Sequence, residues 1–243
     1  MNINNKSILN TVEISEVGIT NGLVAWYPLN GDTKDYTTGG NDGTNNGALA
    51  TDRGYNFDGA TTDILIPANT ELAANLSNDI SICFWINFNQ LVGRTTLINK
   101  AYGGEFTINI ETTSKLNCYR GVGGGDNQPY SSFNALYTIP LNTWTFYCLT
   151  FSGTTANWYL NGAQDATATN ANYAGSQSTS NITIGSGYTG GVFDGLLSDV
   201  RFYNRALSAE EISILHEITD PTSNIQMKQT KNNLYIKGQI KEI

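Results

Sequence analysis

The amino-acid sequence predicts an all-β protein in which two antiparallel sheets pack face to face, with one short helix near the C-terminal end. Short runs rich in β-branched and aromatic residues recur along the 243 residues, and Gly, Asn and Asp separate them. Only 14% of the residues are charged, so Asn, Thr, Ser and Gly supply most of the polar surface. No similarity recurs at a fixed spacing, which argues against a solenoid or a propeller. A two-layer sandwich of many short strands accounts for all of these features.

Two runs are predicted to form the central strands, ISICFWINF (residues 80–88) and TWTFYCLTF (residues 143–151). In each run both alternating sets of side chains are apolar, which predicts burial on both faces and a central position in a sandwich. We therefore expect six side chains to be largely buried, namely Phe84, Trp85, Ile86, Trp144, Phe146 and Phe151.

A closing strand and a capped helix are predicted further along the chain. The run DVRFY (residues 199–203) is followed by Ser208 and Glu211, whose spacing is that of a capping box. Leu207 and Ile212 flank the box as the two apolar residues of a hydrophobic staple. A strand that leads into a short helix docked on its own sheet is the arrangement that these residues favour.

Several segments, in order, resemble the LamG-like jelly-roll domains of the concanavalin A-like lectin/glucanase superfamily. They are GLVAWYPLNGDTKDYTTGGNDG (22–43), YNFDGATTDILIP (55–67), ISICFWINF (80–88), TLINKA (96–101), NTWTFYCLTFSG (142–153), WYLNG (158–162) and FDGLLSDVRFYNRALSAEEI (193–212). The resemblance implies a concanavalin A-like jelly roll over residues 22–219. It leaves an N-terminal arm at residues 1–21 and a C-terminal segment at residues 220–243.

The C-terminal segment differs in composition from the domain before it. It contains four lysines, and Leu234, Ile236 and Ile240 alternate with polar residues. This pattern predicts a hairpin or a pair of short strands, and a lone hairpin is marginally stable in water. We expect it to act as an assembly element that joins a sheet edge of another copy or of a virion protein. The alternative is a disordered end.

Charge and hydropathy limit the partners of the chain. The net charge is −8, and phosphate binding needs clustered Lys and Arg, so nucleic acid is not an expected partner. No apolar run is long enough to cross a bilayer, so membrane insertion is not expected. The N-terminal residues lack the apolar region of a Sec signal peptide. The resemblance implies work outside cells, so we expect an extracellular or virion-surface location.

Three cysteines, Cys83, Cys118 and Cys148, each lie within a predicted strand. An odd number argues against a complete disulfide framework. Buried free thiols are therefore the leading interpretation. One disulfide with one free thiol is the alternative.

A catalytic site is not expected. Glycoside hydrolases of the superfamily carry Glu-x-Asp-x-Glu or a near variant, and no such string occurs here. Glu105 and Glu111 come nearest, but six residues of strand separate them by about 20 Å. Retaining and inverting glycosidases need carboxyl groups about 5–5.5 Å or at most about 9.5 Å apart. The single histidine, His216, lies on the predicted helix, so the chain is predicted not to be an enzyme.

The resemblance implies a structural calcium site. The loop LNGDTKDYTTGGNDG (residues 29–43) contains Asp35 and the Gly39–Gly40 backbone, and in LamG-like domains such a loop often meets the Asp that precedes Val-Arg of the final strand. That residue is Asp199 here. Calcium prefers several oxygen ligands, which carboxylates and turned carbonyl groups provide. The alternative is that Asp35 forms an Asx-turn and Asp199 caps a neighbouring turn.

Long polar loops are the candidate ligand sites. Sugars stack on aromatic rings, while carboxylates and amides bind their hydroxyl groups. The candidate ligand-binding residues are Arg120, Asp126, Asn127, Tyr130, Tyr173 and Tyr188. We therefore expect a non-catalytic module that recognises glycans or a surface glycoprotein in adhesion or host-surface binding. The alternative is a structural or decoration protein of a phage or virus particle, docked through its terminal arms; a polysaccharide-active enzyme is a distant third.

Overall fold

A computed structural model describes residues 19–222, apart from residues 92, 103, 126–129 and 188–190, together with the backbone of residues 226–230 and 233–237. The strands, in chain order, are β1 (Leu23–Tyr27), β2 (Thr44–Asn46), β3 (Leu49–Thr51), β4 (Gly54–Asp58), β5 (Asp63–Ile66), β6 (Ile80–Phe88), β7 (Thr95–Lys100), β8 (Phe106–Ile110), β9 (Leu116–Gly121), β10 (Tyr130–Asn134), β11 (Thr145–Ser152), β12 (Thr155–Leu160), β13 (Ala163–Thr169), β14 (Ile182–Ile184), β15 (Gly191–Val192), β16 (Asp194–Tyr203), β17 (Gln226–Thr230) and β18 (Asn233–Lys237). Two helices, α1 (Thr70–Asn75) and α2 (Ala209–Thr219), and a 3-10 turn at Ala171–Ala174 complete the described elements.

Two sheets of eight strands each form a sandwich, as the sequence predicts. The first sheet has the order β13-β12-β11-β6-β16-β4-β3, and β1 also pairs with β16. The second sheet has the order β10-β9-β8-β7-β14-β5-β2, and β15 also pairs with β7. All of these pairs are antiparallel except that of β15 with β7.

The core lies between the inner faces of the two sheets. Among its fully buried side chains are Phe84 and Trp158 of the first sheet and Phe106 of the second. Five of the six side chains predicted to be buried are buried. The exception is Trp144, which precedes β11 at the rim of the sandwich and is half-buried.

The helix α2 packs on the outer face of the first sheet and forms a second, smaller core there. Ser208 Oγ accepts a hydrogen bond from the Glu211 amide at 3.2 Å, and Glu211 Oε2 accepts one from the Ser208 amide at 2.8 Å, so the predicted capping box is confirmed. Ile212 is fully buried in this core. His216 stacks on Trp85, with ring centroids 5.4 Å apart.

The cysteines follow the alternative prediction. Cys83 of β6 and Cys148 of β11 stand directly opposite each other and form a disulfide, while Cys118 is a buried free thiol. The leading expectation, three free thiols, is therefore wrong. The sequence places both cysteines in strands but does not give the register that brings them together. Burial raises the pKa of the Cys118 thiol to about 12, which makes it a poor nucleophile.

The described backbone of the C-terminal segment forms a hairpin. β17 and β18 pair antiparallel and form a two-stranded sheet separate from the two sheets of the sandwich. Of the predicted N-terminal arm, residues 1–21, the first 18 lie outside the described residues. No helix in the described part of the chain has the length and apolar character needed to cross a membrane.

Candidate functional site

Asp35, the first predicted calcium ligand, is 8% exposed, and protein donors surround its carboxylate. Oδ1 accepts hydrogen bonds from the Trp26 amide at 3.1 Å and from the Thr37 amide and hydroxyl at 2.9 and 2.8 Å. Oδ2 accepts from the backbone and side-chain nitrogens of Asn41, both at 3.0 Å. Asp35 therefore organises its own loop, and its bond to the Thr37 amide is that of an Asx-turn.

Asp199, the second predicted ligand, is bound to a cation that belongs to the protein. Arg201 Nε lies 3.0 Å from Asp199 Oδ2, and Arg201 Nη2 lies 3.0 Å from Oδ1. Trp26 Nε1 also donates to Oδ1, at 2.6 Å. The Arg201 guanidinium lies 4.4 Å from the centroid of the Trp26 ring, in a cation–π contact. Asp199 and Arg201 are both buried, so the pair neutralises itself within the fold.

The predicted ligand set does not fit a calcium ion. The carboxylates of Asp35 and Asp199 face N–H and O–H donors, and the Gly39 amide donates to Thr37 Oγ1 at 3.1 Å. Gly40 has a φ of 64°, so its role is to turn the chain. In the described part of the chain, no three Asp, Glu, His or Cys residues come together as a metal-binding group. Calcium binding stays a prediction, and nothing below relies on it.

Arg120 and Tyr173 are not at loop tips, so their predicted place in an exposed ligand site is wrong. Arg120 belongs to β9 and is fully buried; its Nη2 donates to the Asn78 carbonyl at 2.6 Å, and its guanidinium lies 4.5 Å from the Phe151 ring centroid. Tyr173 is 3% exposed, and its hydroxyl donates to the Ser132 carbonyl. The Gly-rich run after Arg120 suggests a loop, but the strand extends to Gly121.

Three further predicted ligand residues, Asp126, Asn127 and Tyr188, lie outside the described residues and stay predictions. Tyr130 is the one predicted ligand residue that the structure describes as exposed, with 39% of its surface accessible. It begins β10 at the edge of the second sheet. Tyr130 therefore marks the candidate site within the described residues.

Tyr102, Tyr119 and Tyr130 pack together, and we refer to these three residues as the tyrosine cluster. The rings of Tyr119 and Tyr130 have centroids 4.4 Å apart, and Tyr102 lies 5.7 and 5.8 Å from them. Only Tyr130 is substantially exposed; Tyr119 and Tyr102 are buried beside it. A hydrogen bond with Tyr102 raises the pKa of Tyr130, so its phenol stays protonated at neutral pH. The cluster thus fixes one aromatic ring at the surface.

A charged pair lies beside the tyrosine cluster. Arg94 Nε is 3.3 Å from Glu111 Oε2. The Tyr119 hydroxyl joins the pair, because it accepts a hydrogen bond from Arg94 Nη2 and donates one to Glu111 Oε1. The side chains of Arg94 and Glu111 are 38% and 18% exposed, so the pair reaches the surface. Carboxylate, guanidinium and ring therefore stand together as hydroxyl-binding sites usually do.

The outer face of β10 extends this surface with neutral polar side chains, and buried amides of β8 and β9 lie beside it. Asn117 Nδ2 donates to Ser132 Oγ at 2.8 Å and to Asn134 Oδ1 at 2.9 Å. Ser132 and Asn134 are exposed, while Asn109 and Asn117 are buried. Asn109 Nδ2 and Asn117 Oδ1 have no hydrogen-bond partner among the described residues. Strand alternation is the sequence signal for this surface, because Tyr119 stands between the inward-facing Cys118 and Arg120.

The two glutamates nearest to a hydrolase pattern do not act together. Glu105 and Glu111 flank opposite ends of β8. Glu105 is fully buried in an ion pair with Lys100, and burial raises its pKa to about 7. Glu111 is paired with Arg94 at the other end.

A model of the concanavalin A-like lectin/glucanases superfamily matches residues 58–213, which is more than half of the chain. The chain belongs to this superfamily. The match and the two-sheet sandwich agree with the fold that the sequence predicts. Among curated proteins, no match was found.

Several solved structures share the fold. Domain 4 of AbnA, an extracellular GH43 arabinanase from Geobacillus stearothermophilus solved with arabinotriose, is 21% identical with a TM-score of 0.66, covering 80% of this chain and 98% of that chain. The receptor-binding domain of a botulinum neurotoxin C/D mosaic serotype is 16% identical with a TM-score of 0.65, covering 81% of this chain and 51% of that chain. The binding domain of botulinum neurotoxin DC with SialylT is 15% identical with a TM-score of 0.66, covering 86% and 54%. The chain thus spans about half of each toxin domain, and at these identities the likeness shows a shared fold.

Proposed function

We propose that this protein is a non-catalytic carbohydrate-binding module, which attaches to glycans or to a surface glycoprotein outside the cell. The single observation that carries the proposal is the exposed Tyr130 ring, held by Tyr102 and Tyr119 next to the Arg94–Glu111 pair. A sugar ring can stack its C–H face on Tyr130 while the charged pair binds its hydroxyl groups. A rigid platform of this kind needs little ordering when a ligand binds.

The ligands with which two structural neighbours were solved support the proposal. One neighbour is a domain solved with arabinotriose, and another is a toxin binding domain solved in complex with SialylT. The first belongs to an extracellular enzyme, which agrees with an extracellular location for the module proposed here. A purely binding role is favoured because Glu105 and Glu111 are each held in a separate ion pair, at opposite ends of β8.

The proposal is tested by a glycan-array screen of the full chain, followed by titration of the best ligand with two variants. Tyr130→Ala removes the exposed ring and should weaken binding about tenfold or more, because stacking and apolar burial are lost. Tyr36→Ala is the matched control: Tyr36 is 41% exposed and also contacts another aromatic ring, Trp26, but lies with the first sheet. Equal affinities for the two variants would contradict the site, and binding to no glycan would contradict the function.

A second role, assembly through the terminal arms, is favoured by one observation. The β17–β18 hairpin forms its own two-stranded sheet, apart from the sandwich. As part of a virion or surface assembly, such a hairpin would join the sheet of a partner by strand addition. Deleting residues 222–243 and measuring mass by light scattering tests this role. If the truncated protein keeps its oligomer size and its partner, the hairpin has no part in assembly.

A further inference from the structure

We infer that the site around Tyr130 selects a neutral oligosaccharide that lies along β10, and that it excludes acidic glycans such as uronic-acid or sialylated chains. This inference rests on the proposed function and deepens it by naming the class of ligand. Its basis is the distribution of charge and exposure around the tyrosine cluster.

The outer faces of the four strands at this end of the second sheet carry uncharged side chains. Strand alternation and the cross-strand register place the following described residues on these faces: Thr96, Asn99, Thr107, Asn109, Asn117, Tyr119, Tyr130, Ser132 and Asn134. All of them are amides, hydroxyls or phenols. Thr96, Thr107, Asn109, Asn117 and Tyr119 are buried, so the exposed groups that a ligand meets are those of Tyr130, Ser132 and Asn134. Such groups both donate and accept hydrogen bonds, as sugar hydroxyls do, but they do not neutralise an anion.

The guanidinium at the site is already neutralised. Arg94 is bound to Glu111 and to the Tyr119 hydroxyl. An acidic sugar would therefore have to compete with Glu111 for Arg94, and it would bring a second carboxylate close to the first. Like charges at short range are costly, particularly where side chains are partly buried. A neutral sugar meets no such penalty and finds both a donor and an acceptor in the pair.

The far end of β10 adds a repulsive charge. Beyond Asn134 lies an open groove of 580 Å³, lined in part by Leu136 and Asp165. Asp165 Oδ2 accepts a hydrogen bond from the Leu136 amide at 2.6 Å, which fixes the carboxylate at the groove. The whole chain also carries a net charge of −8. An anionic chain that follows β10 therefore approaches negative charge as it leaves the strand.

The shape of the surface favours a chain over a single sugar. Tyr130, Ser132 and Asn134 point to the same side of β10 and are all exposed. Alternate residues of a strand stand about 7 Å apart, so these three extend over about 13 Å. An extended oligosaccharide could stack one sugar on Tyr130 and place the next sugars against Ser132 and Asn134.

The test is titration calorimetry on the full chain with oligosaccharides of equal length: neutral arabinan and galactan fragments, oligogalacturonate and sialylated oligosaccharides. The neutral chains should bind, with a Kd that changes less than about twofold between roughly 0.05 and 0.5 M salt, because no net charge is neutralised. The acidic chains should bind at least about tenfold more weakly. Tyr130→Ala should abolish or strongly weaken the neutral binding.

Lys115→Gln is the matched control for charge. Lys115 stands opposite Glu111 in the turn between β8 and β9, where its carbonyl accepts a hydrogen bond from the Glu111 amide. Its loss should leave the Kd for neutral chains unchanged. The inference would be overturned if the acidic chains bound more tightly than the neutral ones, and if their affinity fell with added salt and in Lys115→Gln. That result would leave the proposed function standing. If no neutral chain binds, the inference fails, and if the glycan array shows no binding either, the proposed function itself fails.

Discussion

Trp26 donates hydrogen bonds to both of the carboxylates that the sequence suggests as calcium ligands, those of Asp35 and Asp199. Its amide donates to Asp35 and its indole donates to Asp199, so it connects the loop after β1 to the closing strand β16. Asp199 also has a φ of 49°, in the left-handed region, which Asp and Asn tolerate better than most residues. Conformation and charge therefore both explain an Asp at this position.

Removing the Asp199 carboxylate should destabilise the protein strongly. Asp199→Ala leaves the buried Arg201 without its partner, a change that costs about 3–5 kcal/mol in the free energy of unfolding. Asp199→Asn should cost less, since it keeps a hydrogen-bond acceptor and tolerates the same backbone conformation. Urea unfolding measures both, and equal, small losses would contradict the importance of the ion pair.

The same residues make a prediction about calcium. Because protein donors already surround Asp35 and Asp199, excess chelator should leave the melting temperature unchanged. An ion bound only to the folded state would stabilise it by mass action. A melting temperature that falls on chelation, and does not fall in Asp35→Ala, would restore the calcium site that the family resemblance implies.

At the scale of elements, the sequence predicts features that depend on a local residue pattern, but it does not predict contacts that depend on the register between strands. The capping box of α2 and the two-faced apolar strand β6 could be read directly, because their signals lie within a few residues. The Cys83–Cys148 disulfide and the Arg94–Glu111 pair depend on which strands stand side by side. The glycines after Arg120 suggest a loop, but β9 continues to Gly121 and turns the Arg120 side chain inward.

The disulfide should stabilise the sandwich measurably. It closes a loop with a sequence separation of 65 residues, and chain entropy assigns such a loop about 4 kcal/mol. Replacing both Cys83 and Cys148 by Ala should lower the free energy of unfolding by an amount of that order. Cys118→Ala serves as the control: this variant should still lose stability when reductant is added, whereas the double variant should not respond. A wild-type protein that ignores reductant would contradict the pairing.

The docking of α2 should depend on pH through His216. Burial against Trp85 and Phe146 lowers the pKa of His216, while Glu217 and Asp220 oppose this shift. As the pH falls below about 6.5, the unfolded chain takes up a proton that the folded chain resists, so stability falls until the lowered pKa is passed. As the pH falls through this window, the melting temperature of wild type should fall relative to that of His216→Phe. A difference independent of pH would contradict the account.

At the scale of the whole molecule, the second sheet holds β7 to β10 side by side, with β10 at its edge. The superfamily and the two-sheet architecture follow from the sequence, because many short strands with both faces apolar have few other ways to bury their residues. The proposed binding surface does not follow in the same way. Tyr102, Tyr119 and Tyr130 come from three separate segments, and only the completed sheet brings their rings together.

A crystal structure of the protein with a neutral oligosaccharide tests the central claim most directly. The account predicts a sugar ring stacked on Tyr130, hydroxyl groups bound by Arg94 and Glu111, and the rest of the chain along Ser132 and Asn134. A sugar bound instead on the first sheet, near Tyr36, or at any place away from the tyrosine cluster would contradict it.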